Sequence, residues 1–315
     1  MKDKCFPKDK IKVIITSSGN KIGIIKCLQN VIVGEERIIV TGCDVDENCL
    51  SKYFLDKFFH LPKLGNHFLV KLIEVCRSNG ITHIIPTRDE ELCFFYKNAP
   101  YFEELKIKLM VCLNPERFTD KLLFYNKFKS RLPIIQTSLN PNLIESSTVV
   151  VKEKRGSGSK NIRLNIPKET ANREGKNFES PIFQPFIAGD EYSLDAYKNS
   201  AGETLGMVIR KRITVVNGEA KVTQNLHGSH KLYGIMSNLL KQLDISYHFN
   251  LQFITRKNEI FIIECNARFG GASKLSVELG LSSFKWFLFN TEHISEVFKP
   301  SRILTQIKFE SELYI

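Results

Sequence analysis

Apolar residues in the first hundred positions fall in short runs that alternate with helical patterns. The run Val13 to Ile15 predicts a strand, and after a Ser/Gly turn an amphipathic pattern predicts a helix from near Ile22. RIIVTGCDVD predicts a second strand, the pattern from Phe68 to Ser78 a second helix, and THIIPTRDEE a third strand. Because strands that alternate with helices form βαβ units, we expect a parallel sheet, which carries ligands at the carboxyl ends of its strands.

The pattern changes at LNPERFTDK, Leu113 to Lys121. Pro115 precedes a helix that Thr119 or Asp120 would cap. Further on, hairpin turns at Asn199 to Gly202 and at Asn217-Gly218 predict antiparallel strands. We therefore expect a mixed α/β and α+β fold with domains at 1–113, 114–182 and 183–315.

The stretch IIECNARFGG ends a predicted strand in polar side chains. Ile260 to Ile263 is apolar, whereas Glu264, Asn266 and Arg268 follow at alternate positions. Since residues i, i+2 and i+4 of a strand share one face, a carboxylate, an amide and a guanidinium would lie on one side.

The preceding hairpin brings further polar groups to that face. A three-residue loop at Lys257 to Glu259 would pair Arg256 with Ile260 and therefore Gln252 with Glu264. A two-residue loop would set Gln252 opposite Ile263, on the wrong face. The side chains that the first register groups together are those of Asn250, Gln252, Glu264 and Asn266.

One carboxylate with amide oxygens, and no His or Cys, is the donor set of a hard cation. Mg²⁺ prefers oxygen ligands and is often held by one or two carboxylates together with nucleotide phosphates. The alternative is a polar network at a strand end, with Gly270 and Gly271 forming a turn.

VVVKEKRGSGSKNI delivers Lys152 at the end of a strand and then enters a Gly/Ser loop. Backbone N–H groups of such a loop can converge on an anion, and Lys154, Arg155 and Lys160 add positive charge. The sequence lacks the P-loop pattern. A phosphate site and a solvated turn both remain open.

FQPFIAGDEYSLDAY combines an apolar connector with a polar strand. Pro185 would limit ladder pairing between Gln184 and Ile187 and leave backbone groups free to bond a planar base. Glu191, Ser193 and Asp195 alternate on one face of the next strand, which is also the pattern of an ordinary strand with a polar face.

Charge and cysteine content narrow the class of protein. The chain has 315 residues and a net charge of +11, spread along its length without interleaved aromatic residues, which favours an anionic small molecule over nucleic acid as a partner. Eight cysteines without a CxxC pair indicate reduced, buried thiols. Without an apolar run of about 20 residues or a signal peptide, we expect a cytoplasmic protein with no membrane partner. Gly19 and Gly23 favour close strand-to-helix packing over a dinucleotide site.

These stretches together resemble the ATP-grasp superfamily, in particular its carbamoyl-phosphate-synthase-like and amino-acid-ligase-like branch. KVIITSSGNKIG and IIPTRDEEL are similar to that branch's Rossmann-like pre-ATP-grasp domain, which would be 1–113. Thr119-Asp120-Lys121 resembles the start of the ATP-grasp domain, VVVKEKRGSGS its second lysine and glycine loop, and QPFIAGDEYSLD its adenine hinge and ribose-binding acid. IIECNARFGG is close to its E-x-N-x-R motif. The segments 114–182 and 183–315 would be the two α+β subdomains.

The resemblance implies a role for individual residues. Those that would bind ATP are Lys121, Lys152, Arg155, Gly156, Ser157, Gly158 and Ser159 at the phosphates, Gln184 with the backbone of Phe186 and Ile187 at adenine, and Glu191 at the ribose. Those that would hold Mg²⁺, or Mn²⁺ in its place, are Gln252, Glu264 and Asn266. Arg268 would meet the transferred phosphoryl group or the substrate carboxylate, and Arg210 and Arg212 are candidates for the same pocket.

The family chemistry implies an ATP-dependent, ADP-producing carboxylate–amine ligase. A carboxylate attacks the γ-phosphate of ATP, and an amine then displaces phosphate from the acyl phosphate. Positioning and charge neutralisation suffice for such a reaction, in agreement with His227 and His230 having no evident catalytic partner. We expect a small-molecule carboxylate and amine as substrates, with Thr87 to Glu90 facing their cleft and a homodimer as the general expectation. A nucleotide-binding module without turnover is the alternative.

Overall fold

The computed structural model describes residues 11–33, 36–156, 162–216, 218–312 and 314. The first part contains strands β1 (Lys12–Thr16), β2 (Ile32–Val33), β3 (Glu36–Arg37), β4 (Ile39–Asp44), β5 (Lys57–His60), β6 (His83–Ile85) and β7 (Lys108–Leu109). Its helices are α1 (Ile22–Gln29), α2 (Asn66–Asn79), α3 (Asp89–Lys97) and α4 (Ala99–Glu104), with a 3₁₀ turn at Leu50–Phe54. A parallel sheet of order β5-β4-β1-β6-β7 results, and β2 pairs with β3 in a separate two-stranded sheet.

Strand β1 lies at the centre of this sheet because its side chains are apolar on both faces. Val13, Ile14 and Ile15 are fully buried. The chain adds β4 and β5 on one side of β1 and then β6 and β7 on the other, so that connections leave β1 and β6 in opposite directions. That reversal opens a crevice at the carboxyl ends of the two strands.

The second part is a small antiparallel unit. Helices α5 (Glu116–Thr119), α6 (Lys121–Phe128) and α7 (Lys168–Gly175) and a 3₁₀ turn at Pro141–Leu143 accompany strands β8 (Thr148–Glu153), β9 (Ile162–Pro167) and β10 (Pro181–Pro185). The sheet order is β10-β8-β9. Strand β10 runs across the predicted boundary at 182/183, and we therefore propose that the division between the subdomains follows Pro185.

The third part is a larger antiparallel sheet of order β15-β14-β11-β12-β13-β16. Its strands are β11 (Asp190–Lys198), β12 (Thr204–Val216), β13 (Glu219–Asn225), β14 (Tyr247–Arg256), β15 (Glu259–Asn266) and β16 (Thr305–Ile307), and its helices are α8 (Lys231–Leu240), α9 (Ser273–Glu278) and α10 (Ser283–Leu288). The predicted parallel sheet followed by antiparallel α+β units is confirmed. Across the described ranges, no helix has the length and apolar character needed to cross a bilayer.

One hydrophobic cluster joins the parallel sheet to the large antiparallel sheet. It contains Val13 and Ile15 from β1 together with Leu205 and Val208 from β12 and Trp286 from α10. Because the two sheets share this core, the carboxyl ends of β1 and β6 are held against the antiparallel part of the chain.

The hairpin between β14 and β15 has a shorter loop than predicted, but the predicted pairing of Gln252 with Glu264 is present. Arg256 pairs with Glu259, so the loop has two residues and the predicted three-residue loop at Lys257 to Glu259 is wrong. The register shifts between Gln252 and Phe253, where Ile263 is the extra residue of a bulge. Because the bulge restores the alternation, Gln252 still pairs with Glu264, and Asn250 still pairs with Asn266.

Two glycines give opposite expectations for stability. A Cβ at Gly206 would lie 2.7 Å from Trp286 and 2.9 Å from Leu281, inside the shared core. We expect Gly206→Ala to lower the free energy of unfolding by about 1–3 kcal/mol through overpacking. Gly234 is exposed within α8, with nothing within 4 Å of an added Cβ. Gly234→Ala should raise stability by about 0.5–1 kcal/mol.

Thermal unfolding of the two variants beside the wild type measures this difference. A Gly206→Ala protein that unfolds at or above the wild-type temperature would contradict the packing at the sheet junction.

Candidate active site

A cleft of about 920 Å³ lies between the parallel sheet and the large antiparallel sheet. Its amino-terminal wall is formed by residues at the carboxyl ends of β1, β4 and β6, including Ser17, Lys21, Asp44 and Thr87. Its other wall includes Gln252, Glu264, Asn266 and Arg268. The predicted position of Thr87 at a cleft is thus matched by the structure, and so is the grouping of the polar residues at the end of β15.

Glu264 is the central acid of the antiparallel wall. Asn266 donates a hydrogen bond from Nδ2 to Glu264 Oε1 at 3.1 Å, and Gln252 is its cross-strand neighbour. Burial opposes ionisation of Glu264, but Lys121 and Lys152 outweigh it and lower its pKa to about 2. An ionised carboxylate beside two amide oxygens fits Mg²⁺ or Mn²⁺. The neighbouring Cys265 is buried on the opposite face, as β alternation requires.

Two lysines approach Glu264 from the small antiparallel unit. Lys121 Nζ lies 3.6 Å from Glu264 Oε2 and donates to the Gly156 carbonyl at 3.0 Å. Lys152 is 7% exposed, and burial lowers its pKa to about 8, with Glu264 opposing the shift. Val149 and Val151 fill the opposite face of β8, which directs Lys152 away from the small core. The site therefore has more positive charge than its acid neutralises, as an anionic ligand requires.

Asp120 fixes the approach of Lys121. Its side chain caps α6 by accepting from the Leu122 and Leu123 N–H groups at 3.0 and 3.1 Å. The other carboxylate oxygen accepts from Arg155 Nε at 3.2 Å. Asp120 is thus the predicted cap, and it also ties Arg155 and the start of the glycine loop to α6. Ser157, Gly158 and Ser159 lie outside the described residues.

The structure of the predicted adenine hinge differs from the sequence prediction. Gln184 and Pro185 belong to β10 and pair with Val150 and Val149, so they do not form a free connector. Gln184 is buried and donates to Thr137 Oγ1 at 2.9 Å. The Phe186 N–H also donates to the Thr148 carbonyl at 3.0 Å, so the expectation that Pro185 leaves this backbone group free is wrong.

Glu191 and Arg212 face each other at the cleft. Arg212 Nε lies 3.1 Å from Glu191 Oε1, and Arg212 Nη2 donates to the Gly218 carbonyl at 2.8 Å. Burial raises the pKa of Glu191, and Arg212 opposes that rise. A nearby arginine therefore already partners the predicted ribose acid.

Arg210 belongs to a buried network whose centre the sequence did not reveal. It is 1% exposed and contacts Asp195 Oδ2 through Nε at 3.0 Å and Nη2 at 2.8 Å. Burial opposes ionisation of Asp195, but Arg210 and His248 hold its pKa well below the usual range. The other donors to Asp195 are Asn250, Ser273 and Ser276. A sequence prediction that β11 pairs with β12 and β14 would have placed Asp195 near Arg210 and Asn250.

Arg268 has a carboxylate partner from the parallel sheet's side of the cleft. Its Nε and Nη2 donate to the two oxygens of Asp89 at 2.7 and 2.9 Å. Both side chains are 10% exposed. The sequence predicted Asp89 at the cleft but not this contact.

The histidines of LHGSHK have local partners. His230 Nδ1 accepts from the Leu232 N–H and caps α8, and His227 contacts Ser229 and the Ser301 carbonyl. Of the eight cysteines, the seven within the described residues are free, and all but Cys93 are buried.

Comparison with known families identifies the architecture. The PylC-like N-terminal domain family matches residues 13–110, and the ATP-grasp domain family matches residues 118–272. The chain thus contains an ATP-grasp domain that is preceded by a domain of the PylC-like N-terminal type. These matches confirm the predicted family and fold class, and with them ATP and Mg²⁺ as the usual cofactors.

Solved structures share the fold at low identity. An N5-carboxyaminoimidazole synthetase from Staphylococcus aureus complexed with ADP is 13% identical, with 96% of this chain and 84% of that chain covered and a TM-score of 0.70. The biotin carboxylase domain of a Hydrogenobacter thermophilus 2-oxoglutarate carboxylase, in complex with MgADP, is 15% identical, with coverages of 92% and 72% and a TM-score of 0.70. An L-amino acid ligase from Bacillus licheniformis is 15% identical, with 90% of this chain and 74% of that chain covered and a TM-score of 0.64. No curated protein matches the sequence.

The pKa of Lys152 predicts how nucleotide affinity depends on pH. In the role predicted for Lys152 the protonated amine would bind phosphate, so affinity for ATP should fall as pH rises through about 8, by at most about tenfold per pH unit because one proton is involved. A Lys152→Arg variant keeps its charge and should give a flatter profile.

Calorimetric titration of an ATP analogue between about pH 7 and about pH 9.5 measures both profiles. Parallel profiles for the wild type and Lys152→Arg would exclude Lys152 as the titrating group.

Proposed function

We propose that this protein is an ATP- and Mg²⁺-dependent carboxylate–amine ligase that forms an amide through an acyl phosphate, with ADP as a product. The proposal rests on one arrangement above all. Glu264, at the wall of a cleft whose other wall comes from a separate sheet, lies 3.6 Å from Lys121 Nζ, and Lys121 and Lys152 both favour its ionised form. Nucleotide and a second reactant can therefore approach the same point from two sides.

In this proposal the cationic residues bind the nucleotide phosphates, and the acidic and amide residues bind the metal ion. Lys121 and Lys152 would bind the ATP phosphates, with Arg155 and Gly156 at the edge of the same region. Glu264, Asn266 and Gln252 would hold Mg²⁺, which when bound neutralises the phosphate oxygens and orients them for transfer. The backbone near Ile187 would hold adenine, and Glu191 the ribose.

The amino-terminal wall suggests what the second reactant is. It carries Lys21 and Arg88 as well as Asp44 and Asp46 at the cleft. Cationic side chains suit a carboxylate and acidic ones an ammonium group. A small molecule with both charges, such as an amino acid, fits this wall better than a ligand of one sign.

The L-amino acid ligase among the structural neighbours supports the reaction class, and the carboxylases among them support activation of a carboxylate-like group by ATP. No protein nucleophile is needed, since the transfer depends on alignment and charge stabilisation.

An ADP-release screen tests the function. ADP should form only when the right carboxylic acid is supplied, and more rapidly when the right amine is present, with an amide detected by mass spectrometry. The double variant Glu264→Ala with Asn266→Ala should lose at least about a hundredfold in turnover, because the cation and the phosphates lose their alignment.

Glu259→Ala is the matched control, since Glu259 lies on the same strand but is mostly exposed beside Arg256. Full turnover in the double variant would reject the metal assignment. Tight ATP binding with no ADP formed across a broad acid and amine panel would instead favour a nucleotide-binding module without turnover.

A further inference from the structure

The contact between Asp89 and Arg268 joins residues that are 179 positions apart. Its geometry is bidentate, with both carboxylate oxygens bonded to different nitrogens of one guanidinium. Such a pair fixes the plane of the guanidinium as well as its position. Among ion pairs at the cleft it is better shielded than Arg88 with Glu90, whose side chains are 57% and 54% exposed.

Asp89 is held rigidly from the amino-terminal side. It is the first residue of α3, and Glu91 closes the turn before it by accepting from the Thr87 and Arg88 N–H groups at 2.9 and 3.0 Å. Glu91 also accepts from Ser17 Oγ at 2.8 Å, which ties the turn to the end of β1. The position of Asp89 is therefore set by the crevice between β1 and β6.

Arg268 is held just as firmly from the antiparallel side. Its Nη1 donates to the Phe269 carbonyl at 3.2 Å, and the Phe269 ring stacks on His248 at 3.8 Å and on Phe284 at 4.6 Å. Nη1 carries two hydrogens, of which this bond uses one. Nη2 also carries two hydrogens, and besides Asp89 it lies 3.5 Å from Asn266 Oδ1. With Nε and Nη2 engaged in this way, Nη1 has a hydrogen left to meet an oxyanion in the cleft.

Glu264 is a competing partner for Arg268. Glu264 lies on β15 and Arg268 lies two residues beyond the end of that strand, and each acts electrostatically on the other. An arginine released by Asp89 would turn toward Glu264 and compete with a cation for that carboxylate. Asp89 thus keeps Arg268 oriented and leaves Glu264 available.

We propose that Asp89 is the positioning residue for Arg268. This inference rests on the proposed function, in which Arg268 meets the transferred phosphoryl group or the substrate carboxylate. Because Asp89 comes from the helix behind the amino-terminal wall, Arg268 is correctly aimed only while the two walls of the cleft are together. Small errors in aim have large effects on such transfers.

Asp89→Asn tests this proposal in two measurements. Turnover should fall about tenfold to a hundredfold, with the KM for ATP within about threefold of wild type, because alignment rather than nucleotide binding is lost. The Mg²⁺ concentration needed for binding of a non-hydrolysable ATP analogue should rise, since Arg268 then competes at Glu264. Asp89→Glu keeps the charge and should recover part of the turnover.

A double-mutant cycle shows whether Asp89 acts through Arg268. In an Arg268→Lys background, Asp89→Asn should add little further loss, because residues that share one interaction are not additive. The loss of turnover or the raised Mg²⁺ requirement of Asp89→Asn supports the proposal if it disappears in the Arg268→Lys background. Asp244→Asn removes an Arg–Asp pair with Arg117 outside the cleft and should leave both measurements at wild-type values.

Wild-type turnover and Mg²⁺ dependence in Asp89→Asn, or losses that persist undiminished in the Arg268→Lys background, would overturn the positioning role. A wild-type protein that binds the analogue but releases no ADP with any acid and amine would reject the proposed function. The Mg²⁺ titration would then decide the role of Asp89 by itself.

Discussion

The buried carboxylate of Asp195 is the constraint on which the site's wall depends. It is completely inaccessible, and a charge in that position is tolerable only if it is paired and hydrogen-bonded. Its donors come from β12, β14 and α9, so satisfying one charge fixes three elements together. Ser273 also accepts from the Gly270 N–H at 2.8 Å, which extends this constraint to the turn that follows Arg268.

The charged side chains at this wall of the cleft influence one another's ionisation. Glu264 remains ionised because the charges of Lys121 and Lys152 stabilise it, while Lys152 is easier to deprotonate because it is buried. These opposed shifts suit the proposed binding of a divalent cation at Glu264 and of phosphate at the lysines. Arg268 receives its counter-charge from Asp89, which follows β6 on the amino-terminal side of the cleft.

Sequence patterns predicted the site's members better than its contacts. The grouping of Gln252 with Glu264 was correct although the loop length was wrong, because the bulge at Ile263 compensates for a shorter turn. The expectation that Pro185 limits ladder pairing was wrong, since a proline at the end of an edge strand can still lie in register with its neighbour. Arg210 was expected near the pocket and does line the cleft, while its guanidinium binds Asp195.

The sequence by itself determined the parallel and antiparallel parts of the fold, the family and the chemical groups at the end of β15. Hydrophobic periodicity and the alternation of a strand are local, so neighbouring residues already carry that information. Only the tertiary structure decided that Asp89 holds Arg268 and that Asp195 gathers donors from distant elements. Those contacts depend on how the shared core sets one sheet against the other, which no local pattern encodes.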